Sequence, residues 1–233
     1  IICLYGASSP DIDQSYIEAV EELGSQMARR GHSMVYGGGA NGLMGAPEDV
    51  RIGGSITGVA PEFFKHPGIL YENCEEFIFT DTMAERKQIM EDMADAFLVV
   101  PGGIGTYEEF FQVLTLKQLN RLNKPIGLFN VNGYFNPISE LLEKTAREGF
   151  MRSACLTICG VFDDSEKLLN YLEEEHKAPL DLPILNFFNE ILDYLAGDDK
   201  PAQEGTKLML AGVLFPLLSG SSSEKAPSLR ARR

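Results

Sequence analysis

The chain has 233 residues, 44% hydrophobic and 23% charged, enough to bury one large core but not two. Its net charge of −14 repels polyphosphate backbones, and basic residues cluster only at Arg230, Arg232 and Arg233, which argues against a nucleic-acid polymer as partner. No apolar run reaches the roughly 18 residues a bilayer span needs and the first residues lack signal-peptide character, so the expectation is no membrane partner and a cytoplasmic location.

The chain opens on Ile1-Ile2-Cys3-Leu4-Tyr5 rather than on methionine, as though at its first core strand with a few leading residues missing. Strands are predicted over 2–5, 33–36, 56–60, 77–79, 96–100, 126–129 and 156–161. Helices are predicted over 15–30, 43–52, 83–94, 106–120, 135–148 and 165–175. Such alternation is that of βαβ units, so the expected fold is α/β: a Rossmann-like, doubly wound parallel sheet with helices on both faces. Functional groups should gather in loops at the carboxyl ends of its strands.

Residues 1–178 are expected to form this Rossmann-like domain. Pro179 and Pro183 then break the pattern, 179–218 reads as a helical extension, and the Ser-rich, charged 219–233 as a disordered tail. The cysteines Cys3, Cys74, Cys155 and Cys159 and the histidines His32, His66 and His176 have no metal-ligand spacing. The cysteines read as reduced packing residues, the histidines as surface or rim residues, and no metal or cofactor is expected.

Three glycine-rich turns follow predicted strands. Gly6-Ala7-Ser8-Ser9-Pro10 is a weak signal alone, and it lacks the second glycine of an esterase nucleophile elbow. Gly37-Gly38-Gly39-Ala40-Asn41-Gly42-Leu43-Met44-Gly45 discards side chains where backbone must approach something closely. Pro101-Gly102-Gly103-Ile104-Gly105-Thr106-Tyr107-Glu108-Glu109 runs from a buried strand into a helix, whose free N–H groups and positive end form an anion site. Neither the Walker lysine nor the G-x-G-x-x-G spacing is present, which favours a mononucleotide over ATP or NAD. A phosphate can bind there despite the global charge, given one or two nearby cations.

Glu109 has two readings. Thr106 as N-cap with Glu109 three residues on would make a capping box; alternatively Glu109, or its neighbour Glu108, is a carboxylate at the mouth of the anion site. On the helical wheel of 83–94, Arg86 falls between Met90 and Met93 on the apolar face with Met83 and Ala94, while Glu85, Gln88 and Asp92 lie opposite. An inward arginine needs an anion: a structural carboxylate such as Glu109 or Asp95, or a substrate phosphate or ribose. Lys87 is expected to reach the rim.

Together, Gly37-Gly38-Gly39-x-x-Gly42-Leu43-Met44-Gly45, Met83-x-x-Arg86-Lys87 and Pro101-Gly102-Gly103-x-Gly105-Thr106-x-x-Glu109 resemble the Lonely Guy family of cytokinin riboside 5′-monophosphate phosphoribohydrolases, often mislabelled lysine decarboxylases. The resemblance covers roughly residues 1–176. It implies hydrolysis of the N-glycosidic bond of N6-substituted adenosine 5′-monophosphates, and of AMP, to free base and ribose 5-phosphate. It implies Arg86 and Glu109 as the catalytic pair and Ser8, Gly38, Gly39, Glu62, Met83, Arg86, Lys87, Gly102, Gly103, Ile104, Gly105, Thr106, Tyr107, Glu108 and Thr115 as substrate contacts, in a homodimer without metal. Ala84 stands where the family usually has histidine, and 178–233 has no family counterpart. Two other classes compete: a non-catalytic nucleotide or molybdenum-cofactor carrier on the same loops, and a pyridoxal-dependent decarboxylase, for which no suitably placed lysine is found.

Overall fold

The computed structural model describes residues 1–45, 54–66, 68–71 and 74–177. The predicted boundary at 178, the extension 179–218, the tail 219–233 and most of the predicted helix 43–52 lie outside the described residues.

Seven strands form one parallel sheet: β1 (Ile2–Tyr5), β2 (Met34–Tyr36), β3 (Ile56–Pro61), β4 (Glu76–Thr80), β5 (Ala96–Val99), β6 (Ile126–Phe129) and β7 (Gly160–Phe162). Their spatial order is β4-β3-β2-β1-β5-β6-β7, so the winding reverses between β1 and β5, where Ile2 lies opposite Ala96 and Tyr5 opposite Val99. Among the described residues the longer helices are α1 (Gln14–Arg29), α2 (Met83–Met93), α3 (Ile104–Gln118), α4 (Asn136–Arg147) and α5 (Ser165–Lys177). A short helical turn at Gly42–Gly45 stands where the longer helix was expected to begin. The predicted strand 156–161 forms only from Gly160, because Ser153–Thr157 coils into a 3₁₀ turn.

The period-two alternation of the central strands explains the layering. Ile2 and Leu4 of β1 and Leu98 of β5 pack with Val20, Leu23 and Met27 of α1 and Leu168, Leu169 and Leu172 of α5. Cys3 and Tyr5, with Phe97 and Val99, face the other way onto Met90 of α2 and Phe110, Val113 and Leu114 of α3. Strands buried on both faces read as continuous apolar runs, as here. The cysteines are unpaired, and burial pushes the Cys3 thiol well up, in keeping with a packing role.

Helix starts are set locally. Asp13 caps α1 by accepting from the Ser15 amide at 3.0 Å. Thr82 and Glu85 form a reciprocal capping box that starts α2 and orients Arg86 one residue later. The layers are also joined by ions: Lys117 at the end of α3 and Glu175 near the end of α5 form a buried pair.

Candidate active site

The loops after β1 and β5 leave the sheet side by side at the reversal point, the place where an open α/β sheet forms a crevice. Their backbones are joined, the Ala7 amide donating to the Pro101 carbonyl at 3.1 Å. The helical turn beyond β2 is pressed against the first loop: Gly42 has φ +64°, and a Cβ there would lie 2.7 Å or less from the Ala7 and Ser9 carbonyl oxygens. In the β5 loop, a Cβ on Gly102 would stand 2.1 Å from the Thr106 hydroxyl, so only glycine lets this turn close onto its helix.

Between these loops and α2 lies a cleft of about 420 Å³, within the range of about 300–1,000 Å³ usual for small-molecule sites. Gly6 to Ser9 form one side, Gly103, Gly105 and Thr106 the start of α3 on another, and Arg86, Glu108 and Glu109 a polar wall. Phe64, Ile69, Leu70 and Met83 supply the apolar part of its lining.

Arg86 and Glu109 meet beside this cleft. An Arg86 terminal nitrogen donates to Glu109 Oε1 at 2.8 Å, and its Nε donates to the Val59 carbonyl at 3.1 Å. Both residues are under 10% exposed, at 6% and 8%. Burial lifts the Glu109 carboxyl above the usual carboxylate range, while the Arg86 charge and hydrogen bond pull it back down. Of the two carboxylates the sequence offered Arg86, Glu109 is the one it reaches; Asp95 is exposed and pairs with the Ile1 amino group instead.

The capping-box reading of Thr106 and Glu109 is overturned. α3 begins at Ile104 with Gly103 as N-cap, placing Thr106 in the third helical position and Glu109 a turn beyond it. Two glycines allow an extended backbone to turn into helix earlier than the hydroxyl suggested, and the carboxylate turns to the guanidinium instead.

Of the other expected contacts, Ser8, Gly39, Met83, Gly103, Gly105, Thr106 and Glu108 line the cleft, Met83 being exposed toward it instead of buried in the core as the helical wheel implied. Lys87 is half-buried and pairs with Glu108. Gly102 lies behind the loop, Gly38 packs against the Phe77 ring, and Ile104 is 87% exposed. Tyr107 turns its hydroxyl to Tyr134, 3.1 Å away. Glu62 is exposed on a 3₁₀ turn with Lys65 at 3.7 Å, and Thr115 is exposed with its hydroxyl donating to the Phe111 carbonyl at 2.7 Å; neither lines the cleft.

Sequence reasoning named Met83 but missed Phe64, Ile69 and Leu70. The available signal for Phe64 was the pair Phe63-Phe64 just beyond a strand ending in Pro61, exposed on a 3₁₀ turn at the functional end of the sheet. Among the described residues, no group of three or more His, Cys, Asp or Glu side chains is placed to hold a metal ion.

Comparison with known proteins bears on this geometry. A family profile described as possible lysine decarboxylase matches residues 44–172. The cytokinin riboside 5′-monophosphate phosphoribohydrolase LOG2 of Arabidopsis thaliana is 37% identical over 175 residues, 74% of this chain and 82% of that protein. The probable cytokinin riboside 5′-monophosphate phosphoribohydrolase LOGL5 of Oryza sativa subsp. japonica is 36% identical over 186 residues, 79% of this chain and 76% of that protein. Among solved structures, the molybdenum cofactor carrier protein of Chlamydomonas reinhardtii superposes with a TM-score of 0.56 over 74% of this chain and 95% of its own, at 20% identity, a likeness of fold alone. With the motifs assembled around one cleft and identity of this extent over most of both chains, the protein belongs to the Lonely Guy family, that of the cytokinin riboside 5′-monophosphate phosphoribohydrolases.

Proposed function

We propose that this protein hydrolyses the N-glycosidic bond of N6-substituted adenosine 5′-monophosphates, cytokinin nucleotides, and also of AMP, releasing the free base and ribose 5-phosphate. The observation that carries the reading is the buried Arg86–Glu109 pair, 2.8 Å apart, beside the start of a glycine-capped helix in one cleft.

In this reading the 5′-phosphate rests on the backbone amides that begin α3, at Gly103 to Thr106, where helix polarity favours an anion. That anchor holds the ribose in register with Glu109. As C1′–N9 breaks, its electron pair leaves with the base, positive charge spreads over C1′ and the ring oxygen, and water adds its oxygen to C1′. The ionised Glu109 carboxylate stabilises that positive charge and orients the water, while the departing base gains the proton the water loses. Before substrate enters, Arg86 pulls the Glu109 carboxyl down against the larger lift from burial, favouring the charged form. Phe64, Ile69, Leu70 and Met83 offer an apolar face for the base.

No lysine lines the cleft among the described residues, so the decarboxylase description lacks the amine that a pyridoxal Schiff base requires. Among the described residues no helix is long and apolar enough to cross a membrane. A cytoplasmic homodimer belongs to the same proposal and rests on membership of the family; Ile104, 87% exposed, offers an apolar side chain at which to test the dimer.

The test is release of base from AMP and N6-isopentenyl-AMP, followed by chromatography, for the parent and Glu109→Gln. The variant should fold and lose about 10²–10⁴-fold in turnover. A folded variant that releases base at the parent rate rules out Glu109 as the catalytic carboxylate. A parent that retains nucleotide without turnover is instead a carrier.

A further inference from the structure

We propose that Tyr134 is a positioning residue for the cleft: its hydroxyl fixes the Gly102–Gly103 peptide plane so that the Gly103 amide faces a bound phosphate. The assignment takes its ligand from the hydrolase reading above, but not its geometry.

Tyr134 Oη donates to the Gly102 carbonyl at 2.6 Å, and Tyr107 Oη donates to Tyr134 Oη at 3.1 Å. A phenol has one proton, so with Tyr107 donating, that of Tyr134 is committed to Gly102. Burial pushes its pKa up to about 12, which keeps the proton in place at neutral pH. Across a trans peptide the carbonyl and the following N–H point in opposite directions. A Gly102 carbonyl drawn back to Tyr134 therefore turns the Gly103 N–H away from it, toward the cleft that Gly103 lines.

This peptide needs such a hold. It joins two glycines, and a Cβ on Gly103 would meet nothing within 4 Å. The peptide also lines a second, apolar pocket of about 220 Å³, together with Ile12, Tyr16, Leu43 and Tyr134 itself. The flanking peptides are secured by backbone bonds, Ala7 to Pro101 at 3.1 Å and Tyr107 to Gly103 at 3.1 Å. Between them the Gly102 carbonyl is held by a side chain. Released, the plane can rotate and present an oxygen, not a donor, to the phosphate.

Tyr134 is itself held firmly. The buried Asn130 accepts from the Phe135 amide at 2.6 Å and donates to Asn136 at 2.9 Å and Asp163 at 2.8 Å. The intervening turn places Asn132 at φ 53°, a left-handed conformation, and Asn132 donates to Ser15 on α1 at 2.9 Å. The Tyr134 ring meets Tyr16 and Phe135 edge-on, at 6.0 and 5.2 Å. These contacts survive in Tyr134→Phe, which loses only the oxygen.

Calorimetric affinities for AMP and adenosine, measured on the parent, Tyr134→Phe and Tyr107→Phe, test the proposal without requiring turnover. Tyr134→Phe should weaken AMP about tenfold and adenosine by less than about twofold, since one hydrogen bond to a phosphate is at stake. Tyr107→Phe, which leaves the Gly102 bond but removes its polarising partner, should weaken AMP by about two- to threefold, again selectively, and decides the matter if the first variant does not fold. Equal loss for both ligands would reveal a merely structural role and overturn the assignment, as would parent-like AMP affinity in a folded Tyr134→Phe. A parent that binds AMP no more tightly than adenosine has no phosphate loop, and the proposal falls. A parent that prefers AMP yet releases no base sinks the hydrolase reading alone.

Discussion

Replacing Arg86 by methionine isolates the electrostatics of the cleft. The guanidinium and the Glu109 carboxylate are 2.8 Å apart and almost wholly out of solvent, and the same arginine satisfies the Val59 carbonyl at 3.1 Å. At an effective dielectric of about 20, two unit charges about 4 Å apart attract by roughly 4 kcal/mol. Removing one partner of a buried pair costs about 3–5 kcal/mol, because the other charge is left uncompensated. The loss should depend on pH. Burial already raises the Glu109 pKa, and without Arg86 it rises further. A carboxyl whose pKa is raised on folding adds no penalty below its unfolded value. The penalty grows as pH climbs toward the folded value and is complete above it. Urea midpoints at pH 5 and pH 8 with an unchanged m-value read this directly: Arg86→Met should be close to the full penalty at pH 8 and recover part of it at pH 5. The double variant Arg86→Met/Glu109→Leu should regain most of the loss and its pH dependence. Equal, pH-independent losses in the single and double variants would refute the coupling, leaving only the orphaned Val59 carbonyl and lost packing.

Under the proposed mechanism the same raised carboxyl should set the acid limb of activity. If Glu109 works ionised, kcat/KM for AMP should fall on the acid side with a midpoint above the ordinary carboxylate range, and an acid limb below about pH 4 would point to another group. The proposed homodimer should sediment at twice the chain mass at micromolar concentration, and Ile104→Glu should shift it toward monomer; a parent that sediments as a monomer throughout refutes the homodimer.

The parallel sheet was legible because its central strands are apolar at every position and separated by segments of helical period; β1, β5 and β6 are each buried end to end. Arg86 was legible too, as a charge on the wrong face of its helix. Its partner required three dimensions, since Glu109 lies on a different helix and its spacing from Thr106 imitates a cap. The box that does form, Thr82 with Glu85, has the same T-x-x-E spacing and passed unremarked. Local pattern cannot tell a glutamate that turns back on its own helix from one that crosses to another. The Lys117–Glu175 pair was invisible for a related reason, as each residue reads as an ordinary charge near a helix end until the two helices flank one sheet. Tyr134 sits in a turn whose left-handed Asn132 has no periodic signature at all.

The reversal of strand order has a consequence for how the molecule is made. β1 finds one neighbour soon, Ile2 pairing with Met34, but its other edge waits for Ala96, by which time β2, β3 and β4 are already synthesised. Until β5 arrives, the central strand exposes a row of unsatisfied amides and carbonyls, the kind of edge that invites pairing with another chain. Closing that long gap is entropically slow. Because the loops after β1 and β5 come together only when those strands meet, a nascent chain acquires its cleft in the same event that hides its most adhesive surface.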